Sequence, residues 1–270
     1  MQLSLQQKRP MIEGSSTKLV ESFDKRVSVH SMFTSIPMQH AELVVEFGQI
    51  LPHTLITANE LTEKLEDILP DLFEEFAIPS PRNKPIELLR PMGIREIPMV
   101  SVSLGVVCRV QEQLLSVSWR QSSGTRYPGY EALRGVVVRA LAALREIYGT
   151  QVFPSVVQCQ YFTVAEPRAT GLPINWALNE ELFGKVTRMT NRFSMLELSY
   201  VGEGEAPDYT LKINRGTRSD GVEALILHTI SATVVASDVL ADLDTCHDHA
   251  NKMFPGFLSQ LAKEEWGHNA

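Results

Sequence analysis

The spacing of apolar residues after Pro128 constrains the fold most strongly. These residues recur every three or four positions and so line one face of a helix. Pro128 stands just before the pattern, where a fixed φ angle and a missing amide hydrogen are tolerated, and Gly149 ends it. The sequence therefore predicts an amphipathic helix that packs on a larger apolar layer. Its apolar residues are Leu133, Val137, Leu141, Leu144 and Tyr148.

Short β-branched segments surround this helix. Residues 41–47 and 156–164 each predict one strand, and residues 100–110 with 114–119 predict a β-hairpin. An earlier helix is predicted from a capping box at Thr57 and Glu60, with a kink or a new start at Pro70. The resulting order, β-α-β-β-α-β, is ferredoxin-like: an antiparallel sheet with two helices on one face.

The C-terminal part predicts a three-stranded meander over 195–201, 209–214 and 224–235, with glycines in its turns. A long helix from about residue 237 follows it, interrupted at Pro255 and Gly256. The fold class is therefore α+β. We predict a mobile N-terminal lead-in over 1–36, a ferredoxin-like half over 37–166 and a meander-plus-helix half over 167–270. One continuous domain is the alternative, and the sequence leaves open whether the halves share a sheet.

Composition limits the functional classes. The net charge of -7, from 25 basic and 32 acidic residues, argues against a general affinity for nucleic acid. Cys108, Cys159 and Cys246 each lie in an apolar run, which predicts reduced, buried thiols in a cytoplasmic protein. No apolar run approaches the roughly 20 residues needed to cross a bilayer.

A candidate metal-binding segment lies between Asp242 and His249. On a helix, His247 and His249 diverge by about 200° and cannot share an ion, whereas His247 faces Asn251 one turn later. Cys246 belongs to an apolar stripe instead. Because the sequence also lacks a phosphate-binding glycine loop and a serine nucleophile elbow, we assign no catalytic residue, metal site or cofactor.

Seven acidic residues and one basic residue, Lys64, lie between Thr57 and Phe76. Two interpretations stay open: a solvated helix face, or a docking surface for a basic partner protein, because clustered charge steers association. The residues of this predicted partner-binding surface are Glu60, Glu63, Glu66, Asp67, Asp71, Glu74 and Glu75.

Two motifs resemble a sporadically distributed family of uncharacterised bacterial proteins. The first is W-R…Y-P-x-Y-E…R in the centre, and the second is L-x-x-x-H…F…W-G near the C-terminus. The resemblance spans roughly residues 37–267, but Tyr161-Phe162-Thr163 lacks the asparagine that is usual after the central helix. The motif residues are Trp119, Arg120, Tyr127, Pro128, Tyr130, Arg134, His247 and Trp266.

The resemblance implies a genomic context, not an activity, since patchy distribution is typical of mobile elements and of defence or toxin–antitoxin loci. The leading hypothesis is a non-enzymatic interaction or regulatory subunit of such a bacterial system, with homo-oligomerisation left open. One alternative is a metal-dependent hydrolase or nuclease that uses Asp244 or His247. Another is an RNA-binding sheet that uses Trp119, Tyr161 or Phe162, although Tyr161 and Phe162 must point to opposite faces.

Overall fold

The computed structural model describes residues 33, 36–71, 95–121, 125–166, 176–189, 195–217 and 223–268. These ranges contain eight strands and five α-helices. The strands are β1 (Met38–Phe47), β2 (Glu96–Ser101), β3 (Val106–Gln111), β4 (Leu114–Arg120), β5 (Pro154–Ala165), β6 (Met195–Tyr200), β7 (Asp208–Thr217) and β8 (Glu223–Val234). The helices are α1 (Leu55–Leu65), α2 (Tyr130–Tyr148), α3 (Glu180–Met189), α4 (Val239–Phe257) and α5 (Gln260–Glu265).

All eight strands form one antiparallel sheet in the order β2-β3-β4-β1-β5-β8-β7-β6. The predicted halves 37–166 and 167–270 meet where β5 pairs with β8, so that Cys159 lies opposite Ser231. The sheet is thus continuous across both parts, which the sequence had left open.

The sheet has an internal pseudo-two-fold symmetry of topology. By topology the chain divides before β5, whereas the sequence predicts a division after it. The first half, β1 to α2, runs strand, helix, three strands and helix, and the second half, β5 to α4, repeats that order. From the centre outward the strands are β1, β4, β3, β2 on one side and β5, β8, β7, β6 on the other. In this arrangement α2 and α4, each 19 residues long, occupy equivalent positions.

The predicted ferredoxin-like order is not confirmed, because three strands separate α1 from α2. Residues 100–110, predicted as one strand, divide into β2 and β3 at a turn closed by Gly105. Gly105 has a φ of 66°, and a Cβ there would lie 3.2 Å from the indole nitrogen of Trp119. The α+β class, the C-terminal meander and the long helix after it are confirmed.

The first helix differs from its prediction. α1 begins after Thr54, whose side chain caps the amide of Thr57, while the Thr57 hydroxyl accepts from the Thr54 amide at 2.8 Å. The capping box is therefore Thr54 with Thr57, not Thr57 with Glu60. The Thr57 hydroxyl accepts the hydrogen bond from the N-cap amide that a glutamate side chain usually accepts. Residues 72–76 lie outside the described residues.

The core lies between the sheet and the helices α2 and α4. In β1, buried Ala41, Leu43 and Val45 point to this side, while His40 and Glu42 point to the opposite face. The predicted apolar faces of α2 and α4 are buried here, and the three cysteines are buried thiols. Among the described helices, none is long and apolar enough to cross a membrane.

Candidate functional site

A polar cluster joins the two halves of the molecule above the centre of the sheet. Arg134, in the second turn of α2, donates from Nε to Oδ1 of Asp244 at 2.6 Å and from Nη2 to Oδ2 at 2.8 Å. Asp244 lies on α4, so this bidentate ion pair ties together the equivalent helices of the two halves. Bidentate pairs of this kind are among the stronger hydrogen-bonded contacts in proteins.

Tyr130 and His247 add a second link between the same helices. The Tyr130 hydroxyl donates to Oδ1 of Asp244 at 2.7 Å. Its ring stacks on the His247 imidazole with the ring centres 3.8 Å apart and the planes 3° from parallel. Tyr130 and Arg134 of the central motif therefore meet His247 of the C-terminal motif, although the two motifs are far apart in the chain.

The imidazole of His247 is held at both nitrogens. Nε2 lies 3.0 Å from the Asn251 amide nitrogen, and Nδ1 lies 2.7 Å from the Tyr161 hydroxyl on β5. With the amide donating to Nε2, the ring carries its proton on Nδ1 and donates it to Tyr161. The contact of His247 with Asn251 confirms the helical spacing predicted from the sequence.

The turn before α2 places Tyr130 at the cluster. Gly129 has a φ of 93°, in the region that favours glycine, and a Cβ at this position would meet no atom within 4 Å. Backbone conformation, not space, therefore demands glycine here. Before the turn, the Tyr127 ring packs on buried Trp119 with the ring centres 5.2 Å apart.

The cluster shifts the pKa of Asp244, Arg134, Tyr130 and Tyr161 away from neutrality. Burial alone would raise the pKa of Asp244, but hydrogen bonds from Arg134 and Tyr130 outweigh it, so the pKa is lowered. The hydrogen bond to Asp244 raises the pKa of Arg134. Burial is the main cause that raises the pKa of Tyr130 and of Tyr161. At neutral pH the cluster thus holds one ion pair and two neutral phenols.

These contacts define what the arrangement can do chemically. Both carboxylate oxygens of Asp244 accept from cluster members, and both ring nitrogens of His247 contact neighbours. The cluster therefore fixes α2 against α4, and its carboxylate and imidazole are engaged by neighbouring side chains. In the part of the chain described, no group of three His, Cys, Asp or Glu side chains is placed to hold a metal ion.

The remaining motif residues lie apart from the cluster. Arg120 is exposed at the end of β4, opposite His40. Buried Trp266 follows α5 and contacts the Trp176 ring edge-on, with the ring centres 6.0 Å apart. Pro128 precedes the Gly129 cap of α2, as predicted.

Sequence reasoning missed the partner of Arg134. From the sequence, Arg134 is assigned to a motif and given no partner, whereas the structure pairs it with Asp244, 110 positions away. Asp244, His247 and Asn251 recur at helical spacing beside the apolar stripe of α4. That polar stripe is the signal that could have indicated a partly buried polar contact with another helix.

The predicted acidic surface is divided by the fold. Glu60, Glu63 and Glu66 are exposed. Asp67 accepts from Nη2 of Arg139 at 2.9 Å, and Asp71 accepts from the Val102 amide at 2.5 Å. Two of the seven acids are thus used within the molecule, and Glu74 and Glu75 lie outside the described residues.

The sheet face opposite α2 and α4 bears on the RNA-binding alternative. Phe162 lies on this face and stacks on His228 at 3.8 Å, whereas Tyr161 and Trp119 lie buried on the helix side. Adjacent residues of a strand do point to opposite faces, as predicted. Of the three aromatic candidates, Phe162 therefore remains as the one that a base could reach from this side.

Comparison with known proteins adds no relative to this picture. No protein-family model matches the chain, and no curated protein matches it. The resemblance of its two motifs to the sporadically distributed bacterial family therefore stays a prediction.

Proposed function

We propose that this protein is a non-enzymatic interaction subunit that binds a basic partner protein through the outer face of α1. The observation that carries the proposal is the composition of that face. Ile56, Glu60 and Glu63 follow one another at helical spacing and are all exposed. The opposite side of α1 is buried through Ala58, Leu61 and Leu65.

Two large apolar side chains accompany the acids. Leu55 and Ile56, in the first turn of α1, are 66% and 70% exposed. Exposed apolar area costs roughly 25 cal/mol per Å² relative to burial, so a partner that covers these side chains gains binding free energy. Apolar anchors beside charged residues are typical of protein interfaces, where the charges steer the encounter.

Among the described residues, Glu60, Glu63 and Glu66 form no ion pair. Lys64 forms its ion pair with Glu146 on α2 at 2.5 Å, and Asp67 pairs with Arg139. These pairs hold α1 to α2 from the side. Glu60, Glu63 and Glu66 remain as the carboxylates that a basic partner would neutralise.

The contacts of the central cluster support the non-enzymatic part of the proposal. Its carboxylate and imidazole are engaged with Arg134, Tyr130, Tyr161 and Asn251, an arrangement that stabilises a scaffold. The motif resemblance supports a partner encoded nearby in a bacterial defence or toxin–antitoxin locus. We expect the neighbouring gene to encode that partner.

The test is a charge reversal with a matched control. Tagged full-length chain is recovered from the cells that naturally make it, its stoichiometric partner is identified and purified, and binding is measured by calorimetry at low and high salt. The variant E60K/E63K/E66K should bind at least about tenfold more weakly. The control E181K/E203K/E205K, with the same change in net charge at other exposed acids, should stay within about twofold of the wild-type affinity.

Two outcomes would overturn the proposal. One is recovery of the wild-type chain alone, without a stoichiometric partner at any salt concentration. The other is a partner whose affinity falls equally in both triple variants, since net charge and not the α1 face would then govern binding.

A further inference from the structure

The two outer edges of the sheet are equivalent in topology but differ in protection. At the β2 edge, Pro98 lacks an amide hydrogen, and Asp71 forms a β-bridge with Val100 through an N–H···O bond of 3.1 Å. Proline and short covering segments are the usual means by which proteins block edge pairing. The first half of the molecule therefore has a closed edge.

The β6 edge has neither device. Its sequence, MLELSY, contains no proline, and within the described ranges no strand or bridge lies along its outer side. Large apolar side chains are exposed on and just after it: Met195 at 57%, Tyr200 at 43% and Val201 at 84%. An edge strand of this kind is a template for pairing with another chain.

We infer that β6 pairs antiparallel with β6 of a second copy of this chain, about a two-fold axis through Leu198. Directly opposed residues of antiparallel strands lie on the same face of a sheet. When a strand pairs with its own copy, one residue therefore lies opposite itself, and the two-fold axis passes midway between the two copies of that residue. With the axis at Leu198, Met195 faces Val201 of the second copy and Leu196 faces Tyr200 of the second copy. The exposed apolar side chains thus cover one another.

Charge favours this register over the register centred on Glu197. A two-fold axis at Glu197 would set two carboxylates directly opposite each other, which destabilises a strand pair. The axis at Leu198 places Glu197 opposite Ser199 of the second copy instead. Glu197 also keeps its ion pair with Lys212 on β7, at 3.7 Å, on the same face.

The inference goes beyond the proposed function and does not depend on it. The α1 surface belongs to the first half, whereas β6 is the outermost strand of the second half. Pairing through β6 joins two eight-stranded sheets into one continuous sheet, and it leaves both copies of the α1 surface outside the interface strands. Interfaces related by a two-fold axis are the commonest in soluble oligomers.

The test uses the full chain and two variants that differ from each other at one residue. M195K/V201K sets lysine opposite lysine in both symmetry-related pairs, whereas M195K/V201E sets lysine opposite glutamate. Both positions are exposed, so circular dichroism should show an unchanged fold. By sedimentation equilibrium we expect a wild-type dimer, about tenfold or greater weakening in M195K/V201K, and a dimer within about threefold of wild type in M195K/V201E.

Each contrary result is distinct from failure of the α1 proposal. A wild-type chain that is monomeric at all concentrations overturns the inference, and so does equal weakening by both variants, because the charge pattern then does not follow the register. The α1 variant E60K/E63K/E66K should remain a dimer. A loss of partner binding without a loss of dimerisation would separate the two surfaces experimentally.

Discussion

The two halves of the molecule share a topology and differ in their surfaces. Each half supplies four strands and a 19-residue helix to one core, and the buried residues of both follow the same alternation of faces. In the first half, α1 packs on α2 and the β2 edge is closed by Asp71 and Pro98. In the second half, no described residue pairs with the outer side of β6. The buried residues thus maintain the same architecture in both halves, while the exposed surfaces and sheet edges of the two halves differ.

The contact between the two halves, which we call the seam, provides the strictest test of whether they behave as one unit. β1 pairs with β5 along nearly their whole length, and the Arg134–Asp244 pair joins the helices above them. If the seam is as strong as the interior of each half, the halves must unfold together. The predictions below test that statement, beginning with the largest expected effect.

The largest effect is expected from the matched core substitutions Leu115→Ala in β4 and Leu211→Ala in β7. Both side chains are fully buried, one in each half. Each loss should lower the free energy of unfolding by about 2–5 kcal/mol, because it removes apolar contacts and leaves a cavity. Urea denaturation followed by circular dichroism measures this loss.

Hydrogen exchange locates the same effect. Since the sheet is continuous, amides of β3 and β7 should lose protection together in either variant. A variant in which only the mutated half loses protection would show two units that unfold independently, and the single-core description would then be wrong.

The next effect concerns the ion pair across the seam. Arg134→Ala or Asp244→Ala should lower the free energy of unfolding by about 1.5–3 kcal/mol, since each leaves a partly buried charged group without its hydrogen bonds. The double variant should cost clearly less than the sum of the two. Arg139→Ala is the control, because its pair with Asp67 lies within the first half and is about half exposed, which predicts a loss below about 1 kcal/mol.

Equal losses in Arg134→Ala and Arg139→Ala would contradict a special role for the seam. The measurement is a double-mutant cycle by urea denaturation at pH 7 and moderate salt. Tyr130→Phe extends the cycle, with an expected loss of about 0.5–1.5 kcal/mol for its hydrogen bond to Asp244.

A smaller pair of effects of opposite sign is expected at two glycines of the equivalent helices. Gly129→Ala should destabilise by about 1 kcal/mol, because the φ of 93° before α2 is strained for any residue with a Cβ. Gly256→Ala, in the last turn of α4, should stabilise by up to about 1 kcal/mol, since a Cβ there meets no atom within 4 Å and alanine favours helix. Shifts in thermal unfolding of the same sign in both variants would contradict this account.

Much of the fold followed from periodicity alone. The range of α2 is predicted by its apolar spacing and by Gly149, and the meander of β6, β7 and β8 by its glycine turns. The division of residues 100–110 was missed because its turn contains only one glycine between apolar residues. Local spacing predicts elements well where each has clear boundary residues.

The candidate site was less accessible to sequence reasoning, because its contacts join distant parts of the chain. The pairing of His247 with Asn251 was predicted, since the two lie one helical turn apart. The pairing of Arg134 with Asp244 depends on which helices the sheet brings together. That information is carried by the sheet order, which local patterns do not specify.

The smallest expected effect is a pH dependence centred on His228, on the sheet face of the second half. Burial and repulsion from Lys212 and His40 lower the pKa of His228 to about 4, below its unfolded value of about 6.5. Between these values the unfolded chain binds more protons, so stability is complete above pH 6.5 and falls as the pH decreases toward 4. Solvent screening of this partly exposed side chain limits the loss to about 1 kcal/mol.

His228→Gln tests the assignment, because it removes the titrating group and keeps a side chain that can donate a hydrogen bond to Oε1 of Gln160, which lies 3.1 Å from Nε2 of His228. Urea denaturation at pH 7.0, 6.0, 5.0 and 4.5 should show a shallower decline in the variant than in the wild type. Asp244, whose pKa is also lowered, contributes a loss of the same sign at more acidic pH in both proteins. Parallel pH profiles would show that His228 is not the source of the decline, and His53 and His249, whose pKa values burial also lowers, would then be the groups to substitute next.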